Sequence, residues 1–317
     1  MQQINGRITF CALMLTCTML FTVNAHSATV KVNCGKKSGS TINGVLQRLN
    51  PEGPNTIIVS GTCNENVLIQ GLDRLTLQAG NNGAVINDTS GGNNPTITIV
   101  DSQRVLIQGF TINGGSPGVL CTDYSLCRFS QNTVQGAADD GVQISRSRSD
   151  FDRDVLQNNG LRGLVVREQG TAVVPGVTIQ GNADAGAEAL DGSFLYAFQS
   201  TFQNNAFGIR AENSALRIEL STISGNTLDG VQLQEESTAR LVVLLGPNTI
   251  TGNGFQGVSV NDLSFAAFDP GNSITGNLMP PDVVCNPQFS ATRGANTNIG
   301  GGTTNCVEPA NAAARKP

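Results

Sequence analysis

From Gly118 onward the chain repeats a short phrase: glycine, apolar residue, any residue, apolar residue. It recurs at Gly118-Val-Leu-Cys121, Gly141-Val-Gln-Ile144, Gly163-Leu-Val-Val166, Gly186-Ala-Glu-Ala189, Gly208-Ile-Arg-Ala211, Gly230-Val-Gln-Leu233 and Gly257-Val-Ser-Val260, with spacings of 23, 22, 23, 22, 22 and 27 residues. An asparagine stands four residues ahead of five of these glycines, at Asn159, Asn182, Asn204, Asn226 and Asn253, and alternating apolar strings precede the asparagines. Period-two alternation predicts half-buried strands, and the Asn/Gly pairs predict turns with left-handed backbone. One such coil cannot bury its own apolar face. Stacked at the ~4.8 Å spacing of neighbouring strands, the coils form a continuous interior, with turn asparagines hydrogen-bonding from coil to coil. The prediction is an all-β fold, a single-stranded right-handed parallel β-helix. Helical solenoids are excluded by the abundance of β-branched residues, Gly and Asn and by the lack of a 3.6-residue period; a propeller needs a longer repeat and aromatics, and the chain has no Trp.

Weaker copies of the unit lie upstream at Thr56–Ser60, Val67–Gly71, Leu75–Gln78, Thr96–Val100 and Val105–Phe110. Before them, Ile42, Val45, Leu46 and Leu49 share one helical face, so a short helix should cap the first coil. The N-terminus has the order of a secretory signal peptide. Arg7 precedes an uncharged apolar run, Ile8–Val23, too short to span a membrane, and cleavage is expected after Ala25 or Ala28. The expected organisation is a signal peptide over 1–28, an N-terminal cap over 29–54, coils over 55–277, a C-terminal cap over 278–306 and a disordered tail over 307–317. No membrane span is expected after signal removal, and the mature protein should be a secreted or periplasmic monomer. The aromatics Phe194, Phe198, Phe202, Phe207, Phe255, Phe265 and Phe268 are expected to fill the core or stack between coils.

The Cys34…Val59-Ser-Gly-Thr-Cys63-Asn-Glu-Asn-Val67 opening, the short helix and the Gln-Gly and Gly-Asn coils resemble the pectin-lyase-like superfamily, specifically bacterial exported right-handed β-helix repeat proteins. The resemblance covers roughly residues 30–306. It implies the fold, and a ligand groove along a parallel-strand face, but not an activity, because lyases, hydrolases, epimerases, tailspikes and adhesins share the architecture.

Composition narrows the chemistry. Without residues 1–28 the chain keeps 18 Lys+Arg against 24 Asp+Glu, a net charge of −6, which disfavours nucleic acid as a partner. The one histidine, His26, lies at the cleavage region, so a histidine base or metal ligand is excluded. Six cysteines remain, and an even number in an exported chain favours disulfides; proximity along the chain suggests Cys34–Cys63, Cys121–Cys127 and Cys285–Cys306, with free buried thiols the alternative for the middle pair.

Outward positions fall two and four residues after each glycine. They give Gln143 and Ser145, Val165 and Arg167, Glu188 and Leu190, Arg210 and Glu212, Gln232 and Gln234, then Ser259 and Asn261. Gln143, Arg167, Glu188, Arg210, Glu212 and Gln232 are therefore the candidate ligand-binding groups, able to hydrogen-bond sugar hydroxyls or, through Arg, a uronate carboxylate. The same residues would also make an ordinary solvated face with cross-coil ion pairs. Asp139-Asp140-Gly141 resembles the paired aspartates of polygalacturonase-type hydrolases, making Asp139 and Asp140, with Arg167 and Arg210, the catalytic candidates. That family's further Asp element and Gly-His-Gly motif have no counterpart, and Asp140 shares its repeat slot with Asp229. Asp150, Asp152 and Asp154 alternate within a charged segment and are the candidate ligands for Ca2+, by analogy with calcium-dependent pectate lyases. A polysaccharide is the expected partner. The two readings carried forward are an exported protein that binds or processes a polysaccharide on its outward strand face, and a non-catalytic surface, structural or adhesion-type solenoid.

Overall fold

The computed structural model describes residues 28–35, 40–286 and 290–307; all but the last residue of the expected signal segment and all but the first residue of the expected tail lie outside them. The chain winds into a parallel β-solenoid whose coils each contribute three short strands. The strand after each repeat glycine joins a ten-stranded ladder from Val67–Gln70 to Val283–Cys285, here called the glycine ladder. A middle ladder follows it round the coil, as at Arg148–Asp152, and a third ladder closes the coil, as at Val155–Gln157. At the N-terminal end, the long strands Asn55–Asn64 and Leu75–Asn87 run through both of these ladders, which therefore form one 20-stranded sheet.

The predicted register of the glycine ladder holds. Gln143 pairs with Val165, Val165 with Glu188, Glu188 with Arg210, Arg210 with Gln232 and Gln232 with Ser259. The alternate residues Val142, Ile144, Leu164, Val166, Ile209 and Val231 are fully buried, forming one apolar column that runs the length of the solenoid. Each fully buried Val, Leu or Ile contributes roughly 1.5–3 kcal/mol, which a single coil could not gain.

The turn before the glycine ladder holds an asparagine stack. The Asn159 side-chain amide donates to Asn182 Oδ1 at 2.9 Å, Asn182 to Asn205 at 3.0 Å, and the chain continues through Asn226 and Asn253 to Asn277. Asn205, not Asn204, occupies the slot. Strand Thr201–Gln203 is in register with Thr222–Ser224, so Asn204 falls on the left-handed position held by Gly181 and Gly225 in adjacent coils, at φ 56°. Asparagine tolerates that conformation, and the turn to Gly208 is one residue shorter than the repeat spacing suggests.

The ends differ from expectation in two places. Ala28–Asn33 is a strand paired in parallel with Asn55–Ser60, so the ladder begins before the helix. That helix, Ile42–Leu46, buries Ile42, Val45 and Leu46; its N-terminal amides are capped by Thr41 and by the Glu65 carboxylate, which accepts from Ile42 N at 2.8 Å and Asn43 N at 3.1 Å. Past Asn277 the ladders continue through Val283–Cys285 and Ala291–Arg293. Three disulfides are present, Cys34–Cys63, Cys121–Cys127 and Cys285–Cys306. Among the described residues no helix is long and apolar enough to cross a membrane.

The aromatics divide. Phe202 and Phe268 are buried, but Phe194, Phe255 and Phe265 are exposed and Phe198 and Phe207 partly so. For Phe194 and Phe198 the cause is alternation: Leu195 and Ala197 take the inward positions of that strand.

Candidate functional site

The outer surface of the glycine ladder collects the charged residues of the repeat into one seam. Arg162, directly before Gly163, places Nε 2.7 Å and Nη2 3.2 Å from the two oxygens of Asp140, directly before Gly141 in the preceding coil. Its Nη1 reaches Glu188 in the following coil. Arg210, beside Glu188 in the ladder, binds the other Glu188 oxygen through Nε and engages Asp184 at 3.3 and 2.9 Å. Glu212 stands 3.7 Å from Arg210 Nε. The result is a continuous chain, Asp140–Arg162–Glu188–Arg210–Asp184, spanning four coils. The Glu188 side chain is 1% exposed, Asp140 5%, and the arginines 17–18%. Charges this deep persist because every one is paired; an isolated one would cost several kcal/mol. Phe207 packs its ring 5.0 Å from the Arg210 guanidinium and further fixes it.

Both aspartates of the Asp139-Asp140 pair are engaged. Asp139 accepts from the Ser116 hydroxyl and the Asp140 amide, each at 2.6 Å. Burial pushes the Asp140 carboxyl above its ordinary value, and the Arg162 guanidinium opposes that. Asp229, in the equivalent slot before Gly230, is likewise raised by burial; it accepts from Ser259 at 2.7 Å, Gln256 N at 3.0 Å and Gln232 at 3.3 Å, and among the described residues no cation pairs with it. Glu212 is raised by burial and by the Glu188 charge.

Of the expected binding groups, Gln143, Glu188, Arg210 and Gln232 lie in one column, with Arg167 and Glu212 in the next. The Gln143 amide has no hydrogen-bond partner among the described residues. Arg167 keeps a loose contact, 4.0 Å, with Glu168, and its buried Nε is unpaired. Arg162 and Asp184, which join the seam, escape the outward-position rule because they sit in turns before the glycine. The signal was available: Arg162 occupies the slot of Asp140 and Asp229.

Asp150, Asp152 and Asp154 lie elsewhere and do not converge. Asp150 and Asp152 point outward on the middle ladder towards Arg148 and Arg153. Asp154 turns inward and accepts from Asn132 N and Nδ2, both at 2.8 Å, and from Asp152 N at 3.1 Å. Among the described residues the one grouping of three metal-capable side chains within ligand reach is Cys34, Cys63 and Glu65, and those cysteines are bonded to each other. A hollow of about 790 Å³ lies off the seam, along the corner between the glycine and middle ladders, lined by Tyr124, Arg146, Arg148, Glu168, Gln169 and Asp191 among others.

Stacked three-strand coils, in-register asparagines and a polar seam on one ladder define a right-handed parallel β-helix. The chain belongs to the right-handed β-helix region family, whose model matches residues 38–205 and 117–279. No curated protein is similar enough to count as a relative. Among solved structures it is similar to the A-module of the mannuronan C-5 epimerase AlgE6 of Azotobacter vinelandii, at 13% identity and TM-score 0.60 over 80% of this chain and 88% of that one. The pectate lyase Pel9A matches at 13% identity and TM-score 0.57, over 89% of this chain and 78% of that one. Tailspike protein 2 of the Escherichia coli O157:H7 bacteriophage CAB120 matches at 12% identity and TM-score 0.63, over 83% of this chain and 42% of that one. At these identities the likeness is one of fold.

Proposed function

We propose that this is an exported protein that binds a neutral polysaccharide along the outer face of its glycine ladder. The observation that carries this reading is the outer edge of the seam, where the partly exposed Gln143, Gln232 and Glu212 flank the Arg162 and Arg210 guanidiniums held by the buried Asp140 and Glu188, at the ~4.8 Å strand spacing, close to the length of one sugar residue. Such groups donate to and accept from hydroxyls without reorganising. Asp139, Asp140, Asp184, Glu188, Glu212 and Asp229 outnumber Arg162, Arg167 and Arg210, and both buried arginines are already paired, so a polyuronate would meet repulsion. Binding is favoured over turnover because the oxygens of Asp139 and Asp140 are held by Ser116, the Asp140 amide and Arg162. Three disulfides fit an oxidising compartment, which supports export. Polysaccharide-acting proteins named among the fold neighbours are consistent with a glycan ligand.

The test is affinity electrophoresis of the purified chain through gels containing neutral β-glucan, galactomannan or alginate, with reducing ends and unsaturated-product absorbance followed in parallel. Retardation by a neutral glycan, weakened in a Gln143→Ala/Gln232→Ala double variant and without product release, is the expected result. Product release that disappears in Asp140→Asn would replace binding by catalysis, and absence of retardation in every neutral gel would refute the proposal.

A further inference from the structure

Strand Phe194–Phe198, on the middle ladder, departs from its neighbours. It turns three aromatic rings outward, Phe194, Tyr196 and Phe198, in a chain that has only 13 Phe, two Tyr and no Trp. Phe194 is 37% exposed, the other two are partly exposed, and the Tyr196 and Phe198 ring centres lie 6.2 Å apart. The same slots hold Thr171, Val173 and Pro175 in the preceding coil and Ala215, Arg217 and Glu219 in the next. Nothing in the packing of the solenoid requires rings there, because the interior side of the strand is filled by Leu195 and Ala197.

A second departure from the repeat meets the first. The Arg217 guanidinium lies 4.9 Å from the Tyr196 ring centre, and both Arg217 and the Tyr196 hydroxyl donate to one oxygen of Glu219, at 2.9 and 2.8 Å. The other Glu219 oxygen accepts the Leu245 amide at 2.9 Å. Burial pushes the Glu219 carboxyl up, but Arg217, Tyr196 and Leu245 outweigh it and hold the group below its ordinary range. Leu245 belongs to the segment that lengthens this coil to 27 residues, and it stands beside the likewise exposed Leu244. The long coil is thus tied through Glu219 to the edge of the aromatic row.

We propose that this row is a binding platform for an uncharged pyranose chain, on a surface distinct from the glycine-ladder seam and independent of the function proposed for that seam. A pyranose ring presents an apolar C–H face and a rim of hydroxyls. Phe194, Tyr196 and Phe198 supply the stacking faces, and Arg217, neutralised and held in place by the buried Glu219 carboxylate, is 36% exposed and supplies donors at the rim. The area argues against a protein partner. Three rings of ~200 Å² each, Phe194 at about a third exposure and the other two below it, offer at most roughly 200 Å², well short of the ~800 Å² per partner of a stable interface.

The experiment uses the full chain in the same glycan gels, with Phe194→Ala/Phe198→Ala set beside the Gln143→Ala/Gln232→Ala pair and sedimentation run on each. The outward positions of both rings leave the core unchanged, and an unmoved unfolding midpoint serves as the control. Loss of roughly tenfold or more in neutral-glycan affinity in the phenylalanine pair, restored by Phe194→Tyr/Phe198→Tyr, is the expected result. Full binding in the phenylalanine pair overturns the platform while leaving the seam untouched; binding lost only in the glutamine pair does the same. A parent chain that sediments as a dimer and a phenylalanine pair that sediments as a monomer would assign the row to self-association instead.

Discussion

Replacing Asp154 by asparagine should flatten part of the pH dependence of stability. Asp154 fills the turn between the middle and third ladders, a slot held by Asn132 one coil before and by Asn248 and Asn272 further on. It is 1% exposed, and burial pushes its carboxyl up to about 6 from an ordinary 3.8 although Asn132 and Asp152 donate to it. A carboxyl raised in the folded state binds its proton there more tightly than in the unfolded chain. Its stabilising contribution is therefore complete below about pH 4 and is lost as pH rises through about 6. Two pKa units at 1.36 kcal/mol each set the loss at about 3 kcal/mol. The asparagine of an Asp154→Asn variant would not titrate, and its side-chain amide could donate to the Phe129 carbonyl as Asn132 Nδ2 donates to that of Ile107. Any fixed hydrogen-bond cost of the exchange is the same at every pH and cancels. Denaturant unfolding of both proteins at pH 4 and pH 7, disulfides intact, should show the variant gaining about 2 kcal/mol on the parent between the two conditions, since the unfolded carboxyl is already more than half ionised at pH 4. An unchanged difference at the two pH values would refute the reasoning.

The seam makes a sharper demand on Glu188. Glu188→Ala leaves Arg162 and Arg210 only Asp140 and Asp184 as partners and should cost about 1.5–3 kcal/mol by denaturant unfolding; a cost under about 1 kcal/mol would show that the seam is solvated. At the asparagine stack, Asn205→Ala should lower stability by roughly 1–3 kcal/mol, since it orphans the Asn182 amide, whereas Asn204→Gly should change it by under about 0.5 kcal/mol. Equal effects at the two positions, read from unfolding midpoints, would contradict the stack.

The solenoid was legible because one physical need, burying an apolar face against a copy of itself, repeats along the chain and prints its period on the glycines. The outward column from Gln143 to Ser259 follows directly from that period. What the period does not determine is harder to read. Asn204 and Asn205 are adjacent and chemically identical, so spacing alone cannot tell which faces the stack. Arg162 and Asp184 precede the strand, where side-chain direction depends on turn geometry and not on alternation. Asp154 continues an alternation of carboxylates in sequence, but the strand ends at Asp152, so the next turn sends its side chain inward. Hydrophobicity alone places Phe194 and Phe198 in the core, and the alternation of their own strand overrules it.

In a fold built by repetition, a residue that the repeat does not need is the more informative one. Paired charges on the glycine ladder can arise as a structural solution: each guanidinium satisfies carboxylates on either side of it, and the seam would be stable with no ligand. The aromatic strand has no such account. Its rings neither fill the interior nor pair with rings in adjacent coils, and they leave apolar surface in water at a cost that folding does not repay. The same strand is tied by Glu219 to the coil that breaks the 22-residue spacing. Two independent exceptions to one repeat, joined by a buried carboxylate that Arg217, Tyr196 and Leu245 all hold, are better explained by an external ligand than by the solenoid itself. If Phe194→Ala/Phe198→Ala left every glycan and every assembly state unchanged, that argument would fail, and the case for recognition would rest on the seam.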